Sequence, residues 1–235
     1  MRLRLIAVSG LFAVLTACSS PASGTPQHSR TGPPRTYSPA QPSATSTLHG
    51  SPAEWQDYAD AAVITTADLT NGFKSAPAIE GRNQTQCPSL HAVADSRTSD
   101  VAYKRVSFSL KGTYQTVDEV ITISPNARST YDDFASTSRK CAKFQSTAAN
   151  GDIIKYTVVS DQAPTLGDQA SAVWVTGTTH EATAGRITVG SGVIVVRKGP
   201  VLMQISTLGI PPPSRQFAGL VAEIAARKLA KQHMP

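Results

Sequence analysis

The stretch that decides the fold is GVIVVRKGPVLMQI, residues 192–205. Two runs of mostly β-branched and other apolar residues flank Lys198-Gly199-Pro200, which is a turn signal. The pattern predicts a β-hairpin with strands over Arg186–Arg197 and Val201–Leu208. Because the runs are almost continuously apolar, we interpret the valine-rich one as a buried strand.

Further strands are predicted on both sides of this hairpin. Four more segments show alternation or β-branched enrichment, and the connections between them are short, which favours antiparallel pairing. The result is a mostly antiparallel sheet of about six strands. The four segments are Val101–Leu110, Val117–Ser124, Ile153–Ser160 and Ala172–Gly177.

Two main helices are predicted to pack on the sheet. The first covers about Ser129 to Gln145 and places Tyr131, Phe134 and Cys141 on one face. The second covers about Ser214 to Gln232, with an apolar stripe formed by Phe217, Leu220, Val221, Ile224 and Leu229. A short helix is also expected over Glu54–Val63. We therefore predict one α+β domain over residues 53–235.

The N-terminal segment has the layout of a secretory leader. Residues 1–17 begin with Arg2 and Arg4, continue with an apolar run, and end at Leu15-Thr16-Ala17-Cys18. That tetrapeptide resembles the bacterial lipobox, in which the cysteine thiol receives a diacylglyceryl group, the chain is cleaved before it, and the new amine is acylated. The resemblance implies that residues 1–17 are a lipoprotein signal peptide and that Cys18 is the lipidation site.

Residues 18–52 read as a disordered tether that follows the lipid-bearing cysteine. The segment is rich in Pro, Ser and Thr, and residues 21–50 contain no acidic residue. Such a composition does not bury enough apolar surface to offset its ordering entropy. The tether is therefore expected to hold the folded domain away from a membrane.

Cys87 and Cys141 are the two cysteines of the predicted domain. Disulfides persist outside the cytoplasm, so an exported domain favours a structural bridge between them. Closing a loop of this length is worth roughly 4 kcal/mol in the chain-entropy model. Two separate buried thiols are the alternative; a redox pair lacks the Cys-x-x-Cys spacing.

No segment carries a complete catalytic or metal-binding motif. His180-Glu181 begins like a zinc-protease helix, but Ala184 stands where the second ligand is required. Gly190-Ser191-Gly192 suggests a nucleophile elbow, yet Thr188 replaces the first glycine, and we interpret the segment as a β-bulge. The adjacent carboxylates Asp118 and Glu119 are expected on solvated surface. We predict no cofactor, no metal and no catalytic residue.

Charge is sparse in this chain, at 16% of residues, and the net charge is +6. The basic residues are spread along the sequence, whereas a nucleic-acid-binding protein concentrates them on one face. We therefore expect no nucleic-acid partner.

Two further segments carry a resemblance to a known group of proteins. Thr165-Leu166-Gly167-Asp168-Gln169-Ala170 precedes a strand, and Gly192–Gly199 precedes an Ala-rich closing helix. Over about residues 65–230 this resembles actinobacterial, mycobacterial-type cell-envelope lipoproteins whose domain is similar to the extracellular sensor domain of PknH-like receptor kinases. Lipoproteins of the PsbP-like α+β type are the neighbouring possibility.

The resemblance implies a non-catalytic sensing or binding module, lipid-anchored on the extracytoplasmic face of the cell membrane. The membrane is then one partner, through the anchor, and an envelope lipid, a glycan or a protein is the other. The alternative function is an envelope hydrolase with an unrecognised active site. Absence of a matched catalytic motif favours the binding module.

Overall fold

The computed structural model describes residues 48–70, 72–78, 86–95, 100–147, 151–181 and 185–235. These ranges contain eight strands, five α-helices and a 3₁₀ turn at Pro88–His91. The strands are β1 (Phe73–Ala76), β2 (Ala102–Leu110), β3 (Thr116–Ile123), β4 (Lys143–Thr147), β5 (Ile153–Asp161), β6 (Gln169–Glu181), β7 (Gly185–Lys198) and β8 (Val201–Gly209). The helices are α1 (Pro52–Ala62), α2 (Ala92–Asp95), α3 (Ala127–Ala135), α4 (Thr137–Lys140) and α5 (Arg215–Ala230).

All described strands belong to one antiparallel sheet in the order β1-β2-β3-β8-β7-β6-β5-β4. The predicted hairpin is confirmed as β7–β8, with Lys198 opposite Val201, and it lies at the centre of the sheet. Central strands with both faces covered bury successive residues, and Val193–Val196 and Val201–Ile205 are all buried. The continuous apolar runs are explained by this position.

The sheet is covered on both faces, which gives the domain two apolar clusters. On one face α1 and α5 pack over the central strands, around Phe108, Ile121, Met203 and Val221. On the other face α2 and α3 cover the second cluster, which includes Phe134. Alternate residues of β7 contribute to each cluster, so Ile194 and Val196 face α5 whereas Val193 and Val195 face α3.

The prediction of about six strands was too low. The six predicted segments all form strands, but β1 and β4, at the two edges of the sheet, were missed. Both are short and carry little alternation of apolar residues. Phe73 of β1 is buried in the first cluster, whereas Phe144 of β4 is only partly buried and packs against the second. Edge strands bury little surface, so their sequences carry a weak signal.

The predicted helix over Ser129–Gln145 was wrong in its second half. The helical region comprises α3 and α4 with Ser136 between them, and it ends at Lys140. Residues 143–147 instead pair with β5, where Phe144 stacks on Tyr156 with ring centroids 4.7 Å apart. Tyr131 and Phe134 are buried as predicted, but Cys141 lies just after α4.

The closing helix is confirmed as α5, capped by the Ser214 hydroxyl, which accepts a hydrogen bond from the Phe217 N–H. The predicted apolar stripe holds for Val221 and Leu229, whereas Leu220 remains 44% exposed. The closest packing comes instead from Ala218, Ala222 and Ala225, which are buried. Small residues on this face allow the helix to lie close to the sheet.

The two ends of the described domain meet. The chain enters α1 through Ser51, which forms a capping box with Glu54. A Cβ placed on Gly50 would lie 2.5 Å from the Cβ of Pro235, so the segment that leads into α1 contacts the segment that follows α5. Both ends therefore lie beyond the C-terminal end of α5.

Candidate functional site: a groove beside α5

An open groove of about 470 Å³ lies between α5 and the neighbouring strands. We call it the α5 groove. Its floor comes from β6 and β7, one wall from the N-terminal half of α5, and the opposite wall from the segment after β5. The lining residues used below are Asp161, Ala172, Trp174, Gly192, Arg215, Ala218, Gly219 and Glu223.

Small side chains create the space. Ala172 and Gly192 on the strands, and Ala218 and Gly219 on α5, project few side-chain atoms into the groove. Gly192 has no room for a side chain, because a Cβ there would lie 2.8 Å from the Trp174 ring and 3.0 Å from the Ala218 Cβ. The glycine is therefore required by the close approach of helix and strand.

The interpretation of Gly190-Ser191-Gly192 as a β-bulge was wrong. Thr176, Val175 and Trp174 of β6 pair in regular succession with Gly190, Ser191 and Gly192. A Cβ on Gly190 would lie 2.4 Å from the Pro212 Cβ, so both glycines make room for the segment that leads into α5 and for α5 itself. The two glycines in the sequence indicate that a side chain is excluded here, but only the packing in the structure shows what excludes it.

Arg215 crosses one end of the α5 groove. Its Nη1 donates to Asp161 Oδ1 at 3.0 Å, and its guanidinium carbon lies 5.6 Å from the centre of the Trp174 ring. The arginine side chain is 58% exposed, so the ion pair itself is worth at most about 1 kcal/mol. The contact is thus easy to open, and it places a cation, a carboxylate and an aromatic face together.

The position of Arg215 is unfavourable for a helix. It is the first residue of α5, where the partial positive charge of the helix N-terminus disfavours a cation. Asp161 and Trp174 offset this cost. A basic residue directly after an N-cap serine is therefore the sequence signal that would have pointed to this site, and the sequence analysis did not use it.

The other end of the groove carries Glu223, whose side chain is 46% exposed. Its nearest cation is Arg227 on the next turn of α5, at 3.8 Å. A second, shallower cavity of about 530 Å³ lies on the outer side of the same helix, next to Phe217, Leu220 and Glu223. Phe217 itself stacks on Phe73 of β1, with ring centroids 5.9 Å apart. The N-terminal half of α5 thus presents apolar and charged groups on two sides.

The predicted disulfide between Cys87 and Cys141 is present. Both cysteines are buried in the cluster under α3, away from the α5 groove, and their Cα atoms are 5.7 Å apart. The bridge ties the 3₁₀ turn at Pro88–His91 to the end of α4. Its role is structural in this position.

The other residues singled out in the sequence do not converge on the groove. Cys18, the signal peptide and most of the tether lie outside the described residues. His180 and Glu181 belong to the end of β6 rather than to a helix. Ser191 lies within β7, and strand alternation directs it to the sheet face opposite Gly192.

The expectation of solvated surface was wrong for Glu119. Its side chain is fully buried on β3, and burial raises the pKa of its carboxyl from 4.5 to about 7. Asp118 points to the other face, where it accepts hydrogen bonds from Arg105 and Ser107. The local pattern of two adjacent acids gave no sign that helices cover both faces of β3.

Two negative findings apply to the part of the chain that the structure describes. No cluster of three or more His, Cys, Asp or Glu side chains is arranged to hold a metal ion there. Nor does any helix within those ranges have the length and apolar character needed to span a bilayer.

The fold is similar to that of the extracellular domain of PknH from Mycobacterium tuberculosis. The two chains are 14% identical, with a TM-score of 0.54, and the similarity covers 75% of this chain and 97% of that one. No protein-family model matches the chain, and no curated protein matches it in sequence. At this identity the likeness establishes the fold, and the predicted similarity to a PknH-like domain is confirmed at that level.

Proposed function

We propose that this chain is a non-catalytic binding and sensing module of the cell envelope, and that the α5 groove is its ligand site. A lipid on Cys18 anchors it on the extracytoplasmic face of the membrane. The ligand is an envelope lipid, a glycan or a segment of a protein. The α5 groove is the observation that carries this proposal.

The size and lining of the groove suit a small ligand or the end of a larger one. Its volume of about 470 Å³ lies within the range of roughly 300–1,000 Å³ typical of ligand sites. The Trp174 ring and the small residues offer an apolar surface, while Arg215, Asp161 and Glu223 offer polar groups at its two ends. Such a division orients a ligand that has an apolar body and polar substituents.

The arrangement of the domain supports anchoring at the opposite end. The chain enters the domain where Gly50 meets Pro235, beyond the C-terminal end of α5. The groove uses the N-terminal half of that helix. A 16-residue helix is about 24 Å long, so a membrane attached through the N-terminal segment leaves the groove accessible.

The experiment is native mass spectrometry of the full chain purified from its own envelope. The wild type should carry an additional mass, and Trp174→Ala should lose it, because the substitution removes the aromatic floor of the groove. Tyr114→Ala is the matched control, since Tyr114 is also an aromatic residue but is 69% exposed outside the groove.

Two results would contradict the proposal. Equal occupancy in wild type and Trp174→Ala would place any ligand elsewhere. Turnover of an ester or glycan panel by an unoccupied chain, retained in Trp174→Ala, would favour the alternative function as an envelope hydrolase.

A further inference from the structure

A buried carboxyl on β3 is the feature that the groove does not explain. Glu119 is fully buried on the face of the sheet that α1 and α5 cover, between the apolar residues Val117 and Ile121 of its own strand. Its cross-strand neighbours are Val106 on β2 and Ile205 on β8. An ionised carboxylate in such apolar surroundings is costly unless it is paired and hydrogen-bonded.

The hydrogen bonding of Glu119 is incomplete for an ion. Oε2 accepts one hydrogen bond, from the Ile64 N–H at 2.6 Å, and Oε1 has no partner among the described residues. No Lys, Arg or His nitrogen in the described part of the chain forms a salt bridge with its carboxyl oxygens. The neutral acid therefore fits this position better than the carboxylate.

The charged groups that act on Glu119 come from two elements packed on it. Asp68, in the loop after α1, and Lys228, near the end of α5, form an ion pair with Nζ to Oδ2 at 2.8 Å. Burial is the largest effect on the pKa of Glu119 and raises it; the Ile64 N–H and Lys228 lower it, and Asp68 raises it. On α1, Asp57 is exposed and Asp60 pairs with Lys104 of β2 at 2.6 Å.

Asp68 also organises the loop that covers Glu119. Its Oδ2 accepts from the Thr65 N–H at 2.7 Å and from the Thr65 hydroxyl at 2.8 Å, besides the bond from Lys228. Val63, Ile64 and Leu69 of the same loop are buried. Loop 63–69 is therefore attached to the sheet through Glu119 and to α5 through Asp68.

We propose that Glu119 is a proton-binding site through which external acidity controls the attachment of loop 63–69 and of the C-terminal end of α5 to the sheet. In acid, the neutral carboxyl keeps the Ile64 bond and carries no buried charge. Towards alkaline pH the carboxyl ionises, the buried charge disfavours the closed arrangement, and loop 63–69 opens more often.

The direction follows from linkage. The folded state binds the proton more tightly than the unfolded state, so the stabilisation is fully present below the unfolded pKa near 4.5 and is lost as the pH rises through about 7. Acidification thus closes the loop.

The proposal deepens the proposed function by adding regulation to the same site, and it rests on that function only for the extracellular setting. α5 carries Lys228 near its C-terminal end and the groove residues Arg215, Gly219 and Glu223 between its first residue and its middle. Loosening its C-terminal end changes the wall of the groove.

The first test is a ¹³C-NMR titration of the glutamate carboxyls in the full chain. One resonance, absent in Glu119→Gln, should titrate near pH 7, well above the ordinary glutamate range. Glu223→Gln is the matched control, since it removes an exposed carboxyl on α5 and should leave that resonance in place. The proposal would be overturned if every glutamate carboxyl of the wild type titrated in the ordinary range near 4.5, a result that is read from the wild type alone.

The second test is hydrogen exchange of the Ile64 amide. After correction for intrinsic rates, protection in the wild type should fall between pH 4.5 and 7.5, by up to about 100-fold if opening exposes Glu119 fully. Protection in Glu119→Gln should not change, because its side-chain oxygen still accepts the Ile64 bond. Equal loss in both proteins, or none in the wild type, would overturn the proposal.

The two proposals fail separately. Trp174→Ala that loses the ligand but keeps the raised Glu119 titration supports both. If the wild type carries no ligand but Glu119 titrates near pH 7, the groove function fails and the proton site stands. If a ligand is bound but Glu119 titrates near 4.5, the proton site fails and the groove function stands.

Discussion

A pair of glycine substitutions in the α5 groove tests how helix and strand pack. Gly192 on the floor and Gly219 on the wall both line the groove, and neither has a positive φ. Gly192→Ala and Gly219→Ala add the same methyl group to the same cavity. They differ in their immediate surroundings and in their element, a strand for Gly192 and a helix for Gly219.

The two surroundings predict opposite effects on the free energy of unfolding. The new Cβ at position 192 would lie 2.8 Å from Trp174, 3.0 Å from Ala218 and 3.2 Å from Thr207. Overpacking of this kind costs about 1–3 kcal/mol, offset by roughly 0.5–1 kcal/mol because alanine loses less backbone entropy. At position 219 no atom outside the neighbouring residues and the backbone of α5 itself would lie within 4 Å, so the helix gains about 1 kcal/mol from alanine.

Urea unfolding of the full chain, followed by far-UV circular dichroism, gives the measurement. We expect Gly192→Ala to be about 1–2 kcal/mol less stable than wild type and Gly219→Ala about 0.5–1 kcal/mol more stable. In a Trp55→Phe background, fluorescence reports on Trp174 alone, and it should shift in Gly192→Ala because the ring must move. Stability at or above wild type in Gly192→Ala, with unchanged fluorescence, would refute the reasoning; so would a destabilised Gly219→Ala.

The remaining predictions concern the buried acid, the disulfide and the anchor. The pKa of Glu119 is raised from 4.5 to about 7. The free energy of unfolding, measured by denaturation, should therefore fall by about 3 kcal/mol as the pH rises across that interval, and Glu119→Gln should lack this decrease. An equal dependence of the unfolding free energy on pH in the two proteins would contradict the prediction. Replacing both Cys87 and Cys141 by Ala should lower stability by about 2–5 kcal/mol in urea, and reduction of the wild type should have a comparable effect, whereas an unchanged midpoint would exclude a stabilising bridge. Cys18→Ala should abolish lipid labelling and partition into detergent; a variant that partitions like wild type shows that Cys18 is not the anchor.

Much of the architecture was predictable from local pattern. The β7–β8 hairpin has two long apolar runs around a glycine-containing turn, and α5 has an N-cap serine after a proline run, so both were found. β1 and β4 were missed because edge strands bury too few residues to leave a clear alternation. The predicted continuation of the helix past Lys140 failed because pairing with β5 outweighs a weak helical preference.

The candidate site was not predictable to the same degree. Trp174 and Arg215 are 41 positions apart in sequence numbering, and they meet only because α5 packs back over β6 and β7. The burial of Glu119 has the same origin, since loop 63–69 and α5 cover a position that local pattern assigns to solvent. These contacts join segments that are far apart in the sequence, and the local pattern of one segment does not show which other segment will pack on it.

The sequence by itself therefore determined the fold class, the central hairpin and the closing helix, and it favoured the pairing of Cys87 with Cys141. Those features arise from side-chain periodicity, turn chemistry and cysteine count, which are local or countable. Only the tertiary structure decided that Gly190 and Gly192 serve close packing, that Arg215 closes one end of a groove, and that Glu119 is buried. The physical reason is that burial and electrostatic environment are properties of the assembled layers, and no single segment contains them.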